Sequence, residues 1–555
     1  MLIERRLDQI VPTLNATQIK FALRFASGPA RRFAPNERLL EVGDRNTTVW
    51  LVIEGGIVAS RRDGLGRQST FASGGPGQFS GEVSDLSGQA SLAAVCAGPE
   101  GCVAYPFDRP HLRALLIGSA DIGEMMMRAF ILRRAAFLEG EAIGTVIVGA
   151  AGSADTVRLR GLLTRNSHPH SLIDIDTPAG RELIDRLGVQ DDELPLLICP
   201  NGTMMRNPSD AEAGLGLGIT PHLESGATFD VVVVGAGPAG LAASVYAASE
   251  GLSVLVLDSR SFGGQAGASS RIENYLGFPT GISGQALTAR AFIQAHKFGA
   301  QFAIPVSAKV LDCSDPPLHR LDLDTGVSVF GRTVVVASGA RYRRPDIAEL
   351  DRFEGASVSY WATPIEAALV EGRDVVLVGG GNSAGQAAVF LSAHARKIYL
   401  AVRGSGLEAS MSRYLIDRIA ATPNIELLTH TVVSALDGGV DSGLAHIDLT
   451  GVETAARRRV EAAHLFLFIG ADANSEWLDH CITLDDKGFV VTGQNPRRPL
   501  ETSSPGVFAI GDARAQSIKR VGAGVGEGAA VVAQIHAALA EMAVDAAAPA
   551  QARAS

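Results

Sequence analysis

A multidomain α/β fold is predicted for this chain of 555 residues, on three observations. Two glycine-rich turns, Gly235–Gly240 and Gly379–Ala384, each lie between an apolar strand and a helix. The length exceeds what one hydrophobic core serves. The chain ahead of the first turn changes texture, from short strands broken by turn signals to alternating strand and helix. These features divide the chain into blocks at 1–140, 144–220, 226–345, 346–462 and 463–540, with a disordered tail over 541–555.

In block 1–140 the run Val49–Ile53 reads as a strand ended by Glu54-Gly55-Gly56, and turn signals recur at Asp63-Gly64, Gly74-Gly75-Pro76 and Gly98-Pro99. That spacing suits an all-β unit closed by a helix at about 122–140. Block 144–220 reads as strand, helix, strand, helix, strand, followed by the glycine-rich linker Gly214–Gly218. The remaining blocks read as two dinucleotide-binding units, the second inserted into the first.

Composition narrows the function. Hydrophobic residues make up 46% and charged residues 19%, so the chain is globular. Lys plus Arg is 49 against 59 Asp plus Glu, a net charge of −10, which argues against nucleic-acid binding. Arg457-Arg458-Arg459 reads as a solvated turn. The five cysteines show no Cys-x-x-Cys spacing, so neither a disulfide framework nor a zinc site is expected. No run of roughly 18 apolar residues and no signal-peptide core occurs, and a cytoplasmic protein away from membranes is expected.

The first turn, Gly235-Ala-Gly237-Pro238-Ala239-Gly240, follows the strand Val231–Val234 and opens a helix. Its glycines suit a tight turn, backbone approach to a pyrophosphate and close helix–strand packing, and the helix N-terminus favours the phosphates. The next strand ends in Asp258, a carboxylate suited to ribose hydroxyls. In the second turn, Gly379, Gly381, Asn382, Ser383 and Ala384 stand in the corresponding places, but the next strand ends in Arg403. An arginine there pairs with a 2′-phosphate, which favours NADPH over NADH. Two dinucleotide sites imply hydride transfer from nicotinamide to FAD. Asp512, ending the run Val507–Gly511, is placed to accept from a ribityl hydroxyl, and Arg520 and Val521 open a helix aimed at the flavin.

On these segments, together with Gly263-Gly264-Gln265, Glu273-Asn274 and Ala337-Ser338-Gly339, the chain resembles the low-molecular-weight thioredoxin reductases from Phe229 to Leu539. The resemblance implies two Rossmann-like domains, FAD, NADPH and a homodimer whose NADPH domain rotates against its FAD domain. It also implies FAD contacts from Gly264, Gln265, Asn274, Val310, Ala337 and Gly339. It breaks at Tyr360-Trp361-Ala-Thr-Pro364, where the family carries Cys-Ala-Thr-Cys: Trp361 and Pro364 occupy both cysteine positions, and no catalytic residue is assigned. Trp361 is either a cover for the isoalloxazine or a core side chain. Where the family carries His-Arg-Arg, only Arg403 remains, with Arg413 a second candidate cation.

Block 1–140 resembles the cyclic-nucleotide-binding domain at Leu51–Gly56 and at Phe79-Ser-Gly81-Glu82. The resemblance assigns Glu82 to a ribose hydroxyl, with Gly81 beside it. The phosphate-binding arginine expected nine residues later is Ser91. Block 144–220 resembles a thioredoxin or glutaredoxin fold, with Pro195 at its cis-proline and no cysteine between its first strand and helix. Three functions stay open: an NADPH-dependent FAD oxidoreductase serving an acceptor other than a local dithiol, a thioredoxin reductase using unconventional cysteines, and a redox- or nucleotide-responsive regulator with little turnover.

Overall fold

The computed structural model describes residues 7–139, 144–269, 271–439, 443–478 and 481–552. In the front unit the strands Val49–Arg62 and Ala94–Phe107 pair antiparallel along most of their length. Glycine does not end the first of them. Register shifts fall between Val52 and Glu54 and between Gly55 and Ile57, so the glycine pair forms bulges within one strand. A side chain at Gly55 would put its Cβ 2.1 Å from the Gly101 carbonyl oxygen. The short helix Val83–Ser87 lies between these strands in sequence, and the helices Arg109–Gly118 and Ala120–Glu139 follow them, the last close to its predicted span.

The second unit has a four-stranded sheet in the order His170–Asp174, Thr145–Gly149, Leu196–Ile198, Met204–Arg206. The first two strands are parallel and the rest antiparallel. The Leu194–Pro195 peptide is cis. Of the run Gly214–Gly218 expected as a linker, the first three residues end the helix Asp210–Gly216, which is capped by Ser209 and Glu212 and packs into this unit's core through Ala213.

The strands Gln301–Ala303, Val254–Leu257, Thr228–Val234, Ser328–Val336 and Val507–Ala509 form the parallel part of a seven-stranded sheet. Their valine-rich runs are buried on both faces, as such strands require. The inserted unit has a parallel five-stranded sheet in the order Val358–Ser359, His464–Leu467, Asp374–Val378, Lys397–Ala401, Ile425–Leu428. His464–Leu467 therefore belongs to the insert, and the expected boundary at 463 moves beyond it. The chain leaves along Ala340–Tyr342 and returns along Ala471–Ala473, which pair antiparallel. Arg457–Arg459 lie in a strand, not a turn; Arg458 bonds Glu426 at 2.7 Å.

The closing helix runs Val521–Ala552, so the expected tail from 541 is helical through Ala552. This helix is long and apolar enough to cross a membrane by length and composition. Its apolarity has a local use: Val531, Val532, Ile535 and Ala538 are buried in one core with Leu241 and Val245 of the helix Pro238–Ser249.

Candidate functional site: two dinucleotide turns and a rebuilt dithiol position

At the first turn the backbone leaves no room for side chains. Gly235 has φ +113°, and a Cβ there would lie 2.2 Å from the Ala337 carbonyl oxygen. A Cβ at Gly240 would lie 1.9 Å from the Gly235 carbonyl oxygen. Gly237 caps the helix Pro238–Ser249, whose first N–H groups have no partner within the helix and face a phosphate-sized need. Asp258 ends the next strand and accepts from the N–H groups of Ala236 at 2.9 Å and Arg260 at 3.0 Å. Burial pushes its pKa up against these donors, so its free lone pairs favour further hydroxyl donors.

Several expected contact residues converge here. Gly264, with φ +53°, would bring a Cβ to 3.0 Å from the Gly237 Cα. Gln265 donates to the Ala340 carbonyl beside Gly339, which has φ +65°. A Cβ at Gly511 would lie 2.9 Å from that of Ala239, and Gly524 also adjoins Ala239. Asp512 and the Arg520–Val521 helix start are thus brought to the helix N-terminus at Ala239. Glu527, which sequence reasoning missed, accepts from the Gly511 N–H at 2.6 Å and holds this turn together with Arg514. Burial raises Asp512, and burial followed by the Asp512 charge pushes Tyr342 up to about 12. Val310 is half-buried in the strand Ala308–Asp312, and Asn274 is exposed. The cradle fits an FAD: tight glycines at the pyrophosphate position, an acid at each strand end and two helix N-termini in contact.

The second turn repeats the geometry with more space. Gly379 has φ +142°, and its Cβ would meet the Phe468 carbonyl oxygen at 2.5 Å. Gly381 caps the helix Asn382–Leu391 and faces open space. Asn382 accepts from the Ser412 N–H at 2.7 Å, Ser383 stands in the first turn of the helix, and Ala384 is buried. Arg403 is exposed just past the strand Lys397–Ala401. Arg413, the second candidate cation, pairs with Asp417 at 2.9 Å.

Trp361 is not a fully buried core side chain; it sits among charged groups. Two guanidinium groups lie over its ring, Arg165 at 5.2 Å and Arg260 at 5.1 Å from the centroid. Its Nε1 donates to Glu366 at 2.9 Å. Trp361 is half-buried where the second front unit, the Asp258–Arg260 loop and the insert meet. Pro364 is the first residue of the helix Pro364–Leu369, a position where its missing N–H costs nothing. Thr363 caps that helix, and buried Glu366 accepts from the Thr363 N–H at 2.9 Å. The pattern Thr363-x-x-Glu366 is a capping-box signature that could have disclosed this arrangement.

The sequence also missed one sulfur pair. Cys313 and Cys481 form a disulfide with their Cα atoms 5.8 Å apart and 168 residues between them in sequence. It joins the segments of the flavin-side unit that flank the insert, and both cysteines pack on that unit's core. The absence of Cys-x-x-Cys spacing argues against a disulfide framework, and this single bond, formed across 168 residues, is one that local spacing does not reveal.

The chain matches the family of pyridine nucleotide-disulphide oxidoreductases over residues 229–534. It belongs to that family. Residues 30–118 match the cyclic nucleotide-binding domain. A thioredoxin reductase of Mycoplasmopsis pulmonis is 32% identical over 294 residues, 53% of this chain and 92% of the relative. A 34.2 kDa protein in a rubredoxin operon of Clostridium pasteurianum is 30% identical over 299 residues, 54% and 93% of the two chains. The solved thioredoxin reductase of T. acidophilum superposes with a TM-score of 0.52 at 25% identity, covering 56% of this chain and 98% of that one. The chain is therefore a flavin-dependent, thioredoxin reductase-like oxidoreductase with a cyclic nucleotide-binding domain in front, and the family implies FAD and NAD(P)H.

In the front domain the recognition residues are answered by the protein itself. Gly81 has φ +101°, and its Cβ would lie 2.7 Å from Val49. Its carbonyl accepts from Arg133 at 2.7 Å. Glu82, 5% exposed, lies 3.4 Å from Nη1 of Arg134. Asp85 accepts from Thr47 Oγ1 at 2.5 Å and from the Glu82 N–H at 2.8 Å, and burial pushes it up to about 6. Ser91 is buried and donates to the Ala93 carbonyl at 2.9 Å.

Proposed function

We propose that the chain is an NADPH-dependent FAD oxidoreductase that serves an acceptor other than a dithiol in its own insert. The observation that carries this reading is the rebuilt segment Trp361–Glu366, where a guanidinium-stacked tryptophan and a helix-opening proline stand in place of two thiols. Bound FAD supplies two-electron acceptance from nicotinamide. The chain supplies the cradle at Gly235–Gly240, carboxylates at Asp258 and Asp512, and the second turn at Gly379–Ala384. Exposed Arg403 favours a 2′-phosphate through a charge-assisted pair. Candidate acceptors are a quinone, a ferredoxin- or flavodoxin-like carrier, dioxygen or a small disulfide.

Steady-state oxidation of NADPH and NADH with a panel of these acceptors and oxidised thioredoxin tests the reading. The expected outcome is a preference for NADPH that falls at least tenfold in Arg403→Ala, with turnover on at least one acceptor that is not thioredoxin. Turnover on thioredoxin alone contradicts it.

A second reading, a thioredoxin reductase with an unconventional pair, gains one observation, the Cys313–Cys481 bond. That bond joins segments outside the Trp361–Pro364 position, which favours the first reading. For the front of the chain we read a degenerate thioredoxin-like unit over 144–220 and a cyclic-nucleotide-like domain that acts as a scaffold. Glu82 is already paired with Arg134, and Ser91 bears no charge for a phosphate. A homodimer working in the cytoplasm completes the proposal.

A further inference from the structure

A cavity of about 560 Å³ lies where the front domain, the second unit and the flavin-side unit meet. No strand of the front β-roll lines it, so it is separate from the interior of the roll. Its volume falls in the range of small-molecule sites, roughly 300–1,000 Å³.

Its lining has a definite character. Phe262 and Phe292 contribute stacked rings with centroids 4.4 Å apart and planes at 18°. Ile131, Phe137, Ala289 and Ile293 extend the apolar wall. Two arginines, Arg134 and Arg290, also line it, and no carboxylate occurs among the described residues that do. Glu82, behind the wall, counters Arg134, so Arg290 leaves the lining with a net positive charge in a chain of net charge −10. Arg134 is 9% exposed, and Glu82 engages only its Nη1, at 3.4 Å, out of the donors a guanidinium carries. His168 lines the cavity with its Nε2 held by Thr145 at 2.9 Å, and burial pushes it down to about 3, so it remains neutral.

We propose that this junction cavity binds a compact organic anion with a planar, apolar body, of the class of aromatic carboxylates or sulfonates. The aromatic wall takes the planar body, and the two guanidinium groups take the charge. Such an occupant touches the front domain at Val83 and Gln89 and touches Phe262, the residue before Gly263-Gly264. It therefore bears at once on the front domain and on the segment that closes over the first turn.

Calorimetric titration of the full-length protein with anilinonaphthalene sulfonate tests this without relying on electron transfer. The expected result is one saturable site per chain. Affinity falls at least tenfold in Ala289→Trp, which fills the cavity, and in Arg290→Gln, which removes an exposed charge with little risk to folding. The uncharged analogue N-phenylnaphthylamine binds at least tenfold more weakly. Absence of a saturable site, or binding indifferent to both variants or to the missing charge, overturns the proposal.

Discussion

The front domain and the insert attach to the flavin-side unit differently. The front domain shares one continuous apolar core with it: Leu86, Leu112 and Leu116 from the front, Phe292 and Ile293 from the helix Gly284–Phe298, and Val231 and Val233 from the sheet. The insert keeps its own cores on the two faces of its sheet. It meets the flavin-side unit through one short strand pair and through polar contacts such as Arg418–Glu273 at 2.7 Å. Burial of apolar area is the dominant glue between elements, while exposed ion pairs contribute little. The difference teaches that the front domain is built as part of the flavin-side body, whereas the insert is a body with its own cores.

The largest effect separates the two attachments directly. Phe292→Ala removes a buried ring from the shared core and should cost about 3–5 kcal/mol. Hydrogen exchange should then rise in the front strands and the flavin-side sheet together. Leu391→Ala, in the insert's own core, should raise exchange in the insert alone. Equal spreading from both variants would break the comparison.

The glycine turns come next. Gly240→Ala drives a Cβ to 1.9 Å from a carbonyl and should yield protein that does not retain FAD, checked by the flavin absorbance of the purified chain. Gly381→Ala meets open space and should leave a folded, yellow protein with a raised KM for NADPH. Arg165→Ala removes one of two guanidinium groups over Trp361, a contact worth about 1 kcal/mol. It should change the KM or kcat for NADPH while the melting of the front domain stays put.

A further effect is one of pH. Asp85 has its folded pKa raised to about 6 from 3.8, so the folded state holds the proton more tightly than the unfolded one. Stability at this site is greatest below the unfolded value and is lost as pH rises from about 4 through about 6. By pH 7 the loss is on the order of 2–3 kcal/mol. Asp85→Asn should flatten that dependence, read by hydrogen exchange in Val49–Arg62 between pH 5 and pH 7.

What was legible in the sequence was local. The glycine turns, Asp258 and the nested insert were readable because strand, turn and helix are contiguous and their steric needs leave a spacing. The end of the helix Asp210–Gly216 falls within the run Gly214–Gly218 that reads as a linker, because its glycines outweigh the Ser209–Glu212 cap. The bulged strand Val49–Arg62 was cut at its glycines for the same reason. The pairing of Glu82 with Arg134, the guanidinium stack on Trp361 and the Cys313–Cys481 bond join residues far apart in sequence. No spacing announces such contacts, because the fold alone brings them together.

The central claim is that a hydride reaching the flavin finds no dithiol at the position of Trp361 and Pro364. Anaerobic titration of the purified protein with NADPH, followed in the flavin spectrum, tests it most directly. Full reduction by two electrons per flavin, with the Cys313–Cys481 bond still intact by thiol labelling, is the predicted result. Uptake of four electrons per flavin with both thiols released would contradict it.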